Sequence, residues 1–520
     1  MHVASARAGG RPSARAGRRV PVPLLVGAAL TTALALLPLS YLVVRAAEGG
    51  WGPIGDTLLR SRTLELTLRS LALAALVTLA CLVIGTSLAW LVTRTDLPGR
   101  RIVQVVVGLP LALPSYVAAW SWLGAVPSLA GGIGAFVVLT SISYPFVYLP
   151  VMAALRRCDP SLEDAARTLG RGPLQVMWRV TLPQVRPAAV GGGLLVALYV
   201  LSDFGAVATM RHEVLTHVIY RSYRASFDRT PAAVLGCLLA VLTVVILLLE
   251  SRVRRRSGAL IGGRSPRRQP VVHLGRWRWV ALLGPVALSV ASLGVPMWGM
   301  SKWFTRGTSR ADPAALVEAA GNTLVVALLA GAAVVLLALP VALLTVRHHG
   351  KLSRVATSAA YAGHALPGVV VGLALVFFGV RFARPLYQEL PMLVLAYVVL
   401  FLSLALGALQ ASISQIPTSL DDAARTLGRS PWGVWREIVL RMATPGIAAA
   451  ATLVLLTTMK ELPATLFLRP TGFDTMATKL WGHVSALSYA AAAPYAVAIV
   501  LLAAVPTALL SAGDESRRNS

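Results

Sequence analysis

Apolar residues in this chain gather in long blocks, separated by short stretches rich in Arg, Gly, Pro and Ser. A helix rises 1.5 Å per residue, so about 20 apolar residues cross a hydrocarbon core of roughly 30 Å. Twelve blocks of that size occur, near 22–44, 67–92, 103–127, 131–155, 188–210, 232–250, 279–300, 322–346, 356–379, 391–413, 445–468 and 488–511. The pattern predicts an all-α polytopic membrane protein of about 12 transmembrane helices.

Composition agrees with the pattern. Of 520 residues, 56% are hydrophobic and 13% charged, about half the charge of an ordinary soluble domain. The net charge of +27 would suit a nucleic-acid binder, but its distribution does not. With the N-terminus in the cytoplasm and sides alternating at each block, two-thirds of the 48 Lys and Arg fall inside. Both termini are then expected to be cytoplasmic. The outer segment 211–231 departs from the trend with Arg211, Arg221, Arg224 and Arg229, joined by His212 and His217. It reads either as a dock for an acidic partner or as a solvated loop. Cys81, Cys158 and Cys237 lie far apart, without the spacing of a disulfide framework or a zinc site. The basic-then-apolar N-terminus resembles a signal peptide, but Arg45 stands where cleavage needs small neutral residues, so an uncleaved first span is expected.

The chain is duplicated. Asp164–Arg171 and Asp422–Arg429 are the same eight residues, and Ser161-Leu162 repeats as Ser419-Leu420. "VLSDFGAVA" (200–208) falls opposite "TMKELPATL" (458–466) at the same offset, and "LALPSYVAA" (111–119) opposite "HALPGVVVG" (364–372). Six spans per copy keep both copies in one orientation, so the halves are parallel six-helix repeats rather than inverted ones. The expected organisation is a basic tail (1–21), a first half (22–250, with a cytoplasmic loop at 156–187), a linker (251–278), a second half (279–511, with the matching loop at 414–444) and a tail (512–520). The Arg/Gly/Pro-rich linker reads as a flexible strand near anionic lipid, with Trp277 and Trp279 at the interface.

The repeated passage is polar and short. Ser161 with Asp164, and Ser419 with Asp422, have capping-box spacing. Leu162, Ala165, Ala166 and Leu169 form a helical stripe, as do Leu420, Ala423, Ala424 and Leu427. Gly170 and Gly428 sit where a left-handed residue ends a helix. A helix of about 8 residues, roughly 12 Å, spans nothing. It reads either as a surface helix on its own bundle or as one of a pair of sockets for a two-fold partner, and its duplication favours the sockets.

Both passages resemble the EAA motif of ABC importer permeases, E-A-A-x3-G-x9-I-x-L-P. The first reads Asp164-Ala165-Ala166, Gly170, Val180, Leu182, Pro183, and the second Asp422-Ala423-Ala424, Gly428, Ile438, Leu440, Arg441. Asp replaces Glu in both, Val180 replaces Ile, and Arg441 replaces the final Pro. The resemblance covers nearly the whole chain and implies that Glu163, Asp164, Ala165, Ala166, Arg167 and Gly170, with Asp421, Asp422, Ala423, Ala424, Arg425 and Gly428, form two coupling helices. In that family such helices dock in a groove of the ATP-binding subunit. The implied partners are two ATP-binding subunits, an extracytoplasmic substrate-binding protein and the lipid bilayer of the bacterial inner membrane. "KELPATLFLRPTGFDTMATKLW" (460–481) and "SDFGAVA" (202–208) are most similar to the fused ferric-iron permeases of the FbpB type; thiamine, polyamine and phosphonate permeases are the alternatives.

The chain is not expected to be an enzyme or to hold a metal or cofactor. Lys351 follows a glycine, but Thr345 and Leu352 break any P-loop pattern, so ATP must be handled on separate chains. No G-x-S-x-G elbow and no His/Glu pair at metal spacing occurs. Asp203 and Glu461 occupy equivalent positions on spans 5 and 11, where an intramembrane acid faces protein or water. One reading has them line a path for a cationic substrate. The other has Glu461 pair with Lys460 or Arg469 while Asp203 caps a gate helix. Pro114, Pro367 and Pro463 are expected to kink their helices. A major-facilitator carrier is a distant rival: "TRTDLPGRR" (93–101) resembles its loop motif only in part, and that family does not predict the duplicated passage.

Overall fold

The computed structural model describes residues 20–225, 229–258, 271–306, 312–348 and 350–502. Most of the N-terminal tail, the middle of the linker and the C-terminal tail lie outside the described residues. Among those described, eight continuous helices are long and apolar enough to cross a membrane: Val22–Glu48, Ser61–Arg94, Gly132–Arg157, Met177–Ser202, Thr230–Val253, Gly275–Thr305, Pro313–Arg347 and Leu390–Ser414. Three further spans are bent pairs: Arg100–Ala112 with Ser115–Ala125, Lys351–Ala365 with Gly368–Phe382, and Trp435–Met442 with Thr444–Met459. The apolar helix Tyr489–Leu502 comes last. Numbered along the chain, these are spans 1 to 12, and each expected block has its helix. The chain is an all-α polytopic membrane protein.

The bends have a local cause. Spans 3 and 9 turn through 101° and 104° at Leu113-Pro114 and Leu366-Pro367. A residue before proline is driven out of the helical region by the ring. Leu113 and Leu366 accordingly sit at ψ 127° and 130°. These prolines therefore break their helices where a kink was expected. Spans 5 and 11 also stop early, at Ser202 and Met459, and short helices Gly205–Thr209 and Pro463–Leu468 follow.

In each half three spans form the nucleus, 2 with 4 and 5, and 8 with 10 and 11. Their packed faces are small. A Cβ on Gly192 of span 5 would lie 2.6 Å from the Phe146 carbonyl oxygen, and one on Gly85 of span 2 would lie 2.8 Å from Val147 Cβ. Small residues let apolar helices approach where no hydrophobic force separates lipid from protein. The opposite face of span 2 carries Leu64, Leu68, Leu76, Leu79 and Val83, all exposed, as lipid-facing residues are.

The halves exchange their first spans, which the domain boundaries along the chain do not anticipate. Span 1 packs on spans 8 and 9 of the second half, with Thr31 Oγ1 donating to the Leu337 carbonyl at 2.9 Å and Arg381 paired with Glu48. Span 7 packs on span 3 of the first half, where Lys302 Nζ donates to the Gly124 carbonyl at 2.8 Å. The larger core is accordingly common to both halves and takes in Leu42, Trp120, Phe204, Leu366 and Tyr495.

Candidate functional site

Two constellations mark opposite ends of span 5 and its repeat. The first is the pair of short helices Pro160–Thr168 and Thr418–Thr426. The first begins two residues earlier than the capping-box spacing suggested. Asp159 is its cap, accepting the Ser161 amide at 2.9 Å, so Ser161 lies inside the helix, as Ser419 does in the second. Both helices end on a left-handed glycine, Gly170 at φ 77° and Gly428 at φ 80°. The Arg171 and Arg429 amides reach back to the Ala166 and Ala424 carbonyls at 3.1 Å, as the six-residue closure of this cap requires.

The face each helix turns toward the bundle is not its apolar one. Leu162 and Leu169 are 53% and 81% exposed, and Leu420 and Leu427 are 38% and 83% exposed. Buried instead are the acids Glu163 and Asp421. Glu163 meets Arg94, the last residue of span 2, at 3.0 Å, and accepts the Thr181 hydroxyl at 3.0 Å. Asp421 meets Arg347, the last residue of span 8, at 3.7 Å. Each short helix is therefore latched to the end of a spanning helix through its acid, and its leucines face outward. Asp164, Ala165 and Arg167 are exposed; Asp164 and Arg167 stand 3.9 Å apart, a surface pair of little energetic weight. Ala423 and Asp422 are exposed, and Ala166 and Ala424 more covered. The side chain of Arg425 lies outside the described residues.

Past each helix the chain returns through a single π-helical turn, Met177–Thr181 and Trp435–Val439, 258 positions apart. The first of these turns delivers Thr181 to Glu163. Arg94 and Arg347 went unassigned in the sequence, although both end a repeat-equivalent span; carrying the upstream offset as far as residue 94 would have found them. The linker is also less free than its composition suggested. Beyond residue 270 it pairs with the loop after span 2: the Val272 amide donates to Arg94 O at 2.8 Å and the Leu274 amide to Asp96 Oδ1 at 2.8 Å. The loop that resembled a carrier motif here holds the linker.

The second constellation lies where spans 5 and 11 break. Asp203 Oδ1 accepts the Ala206 and Val207 amides at 2.9 and 3.3 Å. Glu461 accepts the Ala464 and Thr465 amides at 2.8 and 3.0 Å, and the Thr465 hydroxyl. Both acids thus cap the short helix that follows. Of the two cations expected to pair with Glu461, Lys460 and Arg469, the second pairs instead with Asp474. The caps bring together rings that sequence reasoning missed. Phe204 lies 4.8 Å from Tyr220 and 5.0 Å from Trp481, Tyr220 lies 5.5 Å from Phe467, and Tyr223 lies 4.9 Å from Phe467. First-half and second-half aromatics interlock here, closing the seam between the halves. No sequence motif announces them; Tyr220, Tyr223, Phe467 and Trp481 lie on short helices outside the spans, and Phe204 in the break after span 5.

The basic segment around Arg221 is partly neutralised. Glu213 takes Arg221 at 2.7 Å and also pairs with Arg62. Burial pushes the Glu213 carboxyl upward, but the two guanidinium groups prevail and hold it below the ordinary glutamate range. Burial lowers the His212 and His217 imidazoles. Among the described residues no group of three or more His, Cys, Asp or Glu could hold a metal ion.

Duplicated six-span halves, each with a latched helix offering leucines at one end, define a membrane scaffold with two matching exposed helices. Residues 82–258 and 324–518 match the family of binding-protein-dependent transport system inner membrane components, and the chain belongs to that family. Both matches begin beyond the first span of their half. Among relatives, the Fe(3+)-transport system permease protein FbpB 2 of Haemophilus influenzae is 33% identical over 479 residues, covering 91% of this chain and 95% of its own length. The sulfate transport system permease protein CysT of Salmonella typhimurium is 28% identical and covers 44% of this chain and 90% of its own length. A putative 2-aminoethylphosphonate permease, PhnU of Salmonella choleraesuis, is 29% identical over 47% of this chain and 93% of its own length.

Proposed function

We propose that this chain is the membrane-spanning subunit of an ATP-driven importer for ferric iron. In this reading Pro160–Thr168 and Thr418–Thr426 are the coupling helices, each seated in a separate ATP-binding subunit on the cytoplasmic side, with both chain termini on that side. An extracytoplasmic binding protein delivers the substrate at the other face. The observation that carries the reading is the inverted burial of the two helices: Glu163 and Asp421 are turned in, while Leu162, Leu169, Leu420 and Leu427 are turned out. An apolar stripe held in water twice, at equivalent positions, suits a pair of partner grooves. When the partners close, the latches carry the movement to spans 2 and 8 through Arg94 and Arg347. The aromatic seam at Phe204, Tyr220, Phe467 and Trp481 is the gate at the far side, and Asp203 and Glu461 are its positioning residues.

Ferric iron is supported by the relative that matches across both halves, while the sulfate and phosphonate permeases match about half of the chain. The test is uptake of radiolabelled ferric ion by cells with and without this chain, alongside thiamine, sulfate and 2-aminoethylphosphonate. Iron uptake is expected to fall to background without the chain and to stall when the partner ATPase is inactivated. Loss of another solute alone would keep the architecture and change the substrate. Uptake that follows the proton gradient without ATP would overturn the mechanism.

A further inference from the structure

The two latches differ, and the second is incomplete. In the first half Arg94 gives Nη2 to Glu163 at 3.0 Å and also to the Leu155 carbonyl at 3.2 Å, while Thr181 adds its hydroxyl. In the second half Asp421 is one methylene shorter than Glu163, and Val439, which carries no hydroxyl, stands at the position of Thr181. The pair opens to 3.7 Å. Arg347 Nε and Nη2 and Asp421 Oδ1 have no hydrogen-bond partner among the described residues, although each side chain is only 10% exposed, whereas in the first latch Arg94 Nε alone is left so. Buried polar atoms in this state are costly and call for a partner.

The surroundings supply room for one. In the first half Trp90 walls a small void of about 20 Å³, which holds Arg94 and Glu163, off from an apolar cleft of about 500 Å³. Leu343 occupies the equivalent position in span 8 and leaves no such wall. Arg347 and Asp421 line one continuous cleft of about 490 Å³. Leu343, Pro340, Leu339 and Leu336 line it along span 8, with Pro23 of span 1 and Trp435 opposite. His348 and Ser430 are its other polar groups, and Ser430 Oγ already accepts the Gly433 amide at 3.1 Å. Leu336, at the far end, is 71% exposed on a lipid-facing surface. It stands eleven positions from Arg347, about 16 Å along a helix. That is about half of a hydrocarbon core of roughly 30 Å.

We propose that this cleft binds one phosphatidylethanolamine from the leaflet on the side of the Thr418–Thr426 helix. The phosphate takes the Nε–Nη2 edge of Arg347, a fork that matches two phosphate oxygens, while Nη1 stays toward Asp421. The ammonium of the same headgroup donates to Asp421 Oδ1. One acyl chain lies along Leu343 and Leu336. A soluble anion would satisfy the guanidinium and leave the apolar groove empty. Phosphatidylglycerol would put an anionic headgroup against Asp421 with no ammonium, and phosphatidylcholine has no N–H to give. The lipid gives the second latch the partners that Thr181 and the longer acid give the first. One docking helix is then tied through protein alone and the other through the membrane.

The test is native mass spectrometry of the full chain released from nanodiscs of equal phosphatidylethanolamine, phosphatidylglycerol and phosphatidylcholine. One phosphatidylethanolamine per chain is expected, retained at least tenfold over the other two. Leu343→Trp, which copies Trp90, should abolish that retention. Asp421→Asn should keep a bound phospholipid but bring the ethanolamine-to-glycerol ratio close to one, and it decides the matter if Leu343→Trp does not fold. Equal retention of all three lipids by the unaltered chain, or undiminished retention by both variants, would overturn the proposal. So would lipid binding that begins only when residues 1–19 are removed, which would assign the cleft to the chain's own tail.

Discussion

Glu163 and Gly428 show how single residues set up the two short helices. Glu163 is almost wholly buried and shared between Arg94 and Thr181. Removing one member of such a pair strands the other, at a cost of about 3–5 kcal/mol. Glu163→Ala is therefore expected to release Pro160–Thr168, seen as a loss of amide-exchange protection from 160 to 171. Protection at 418–429 should be unchanged, because that latch is separate. Gly428 has open space around it but a φ of 80°. Alanine there meets only the left-handed penalty, about 1–2 kcal/mol. Proline, locked near −65°, cannot adopt that conformation at all. Gly428→Pro should leave the helical circular dichroism intact while ATP hydrolysis by the assembled transporter continues without uptake. Glu213 offers a pH test outside the membrane. Its carboxyl is held below the ordinary range by Arg221 and Arg62 against the opposing effect of burial. The stabilisation it provides is present at neutral pH and is lost as pH falls through that depressed value. Exchange protection of the 211–225 segment should persist at pH 5 and fall only in stronger acid, and Glu213→Gln should lose it at every pH.

At the scale of elements, what matters is which face a helix presents. The stripe of Leu162, Ala165, Ala166 and Leu169 was legible as a helix face, yet its direction was not. Amphipathic logic alone would turn leucines inward and an acid outward. Two arginines ending neighbouring spans reverse that choice, because a buried guanidinium needs a carboxylate more than the bundle needs another leucine. The reversal predicts that Leu169→Glu with Leu427→Glu leaves the folded chain in the membrane but abolishes co-purification of the ATP-binding subunit. Either single change should weaken recovery several-fold. Full recovery with the double variant would place the partner elsewhere. The broken spans make a similar point: "ALP" at 112–114 and 365–367 marked a bend, but its full right angle depends on what each second helix packs against.

At the scale of the molecule, the exchanged first spans make the two halves one body. Thr31 to Leu337 and Lys302 to Gly124 are contacts that no boundary drawn along the chain contains. Expressing residues 1–264 and 265–520 as separate chains should therefore yield a complex that co-purifies through detergent. Deleting residues 1–48 from the first of them should lower recovery of the second sharply. The family match starts at 82 and 324 and so omits both exchanged helices, which fits elements that clasp a transport core.

The amino-acid sequence by itself determined the all-α membrane fold, the order of twelve apolar segments, the duplication and the position of the two short helices. These are properties of hydropathy, spacing and self-similarity, which act locally and survive without knowledge of neighbours. Only the tertiary structure decided that Asp203 and Glu461 cap backbone amides, that aromatics from both halves close one seam, and that Arg94 and Arg347 hold the two short helices. The caps are local, but the ion pairs and the ring contacts across the seam depend on residues more than 60 positions apart meeting in a low-dielectric interior, where each buried charge must find a partner. The same physics separates the two latches, since one methylene and one hydroxyl distinguish the one that leaves fewer buried polar atoms unpartnered.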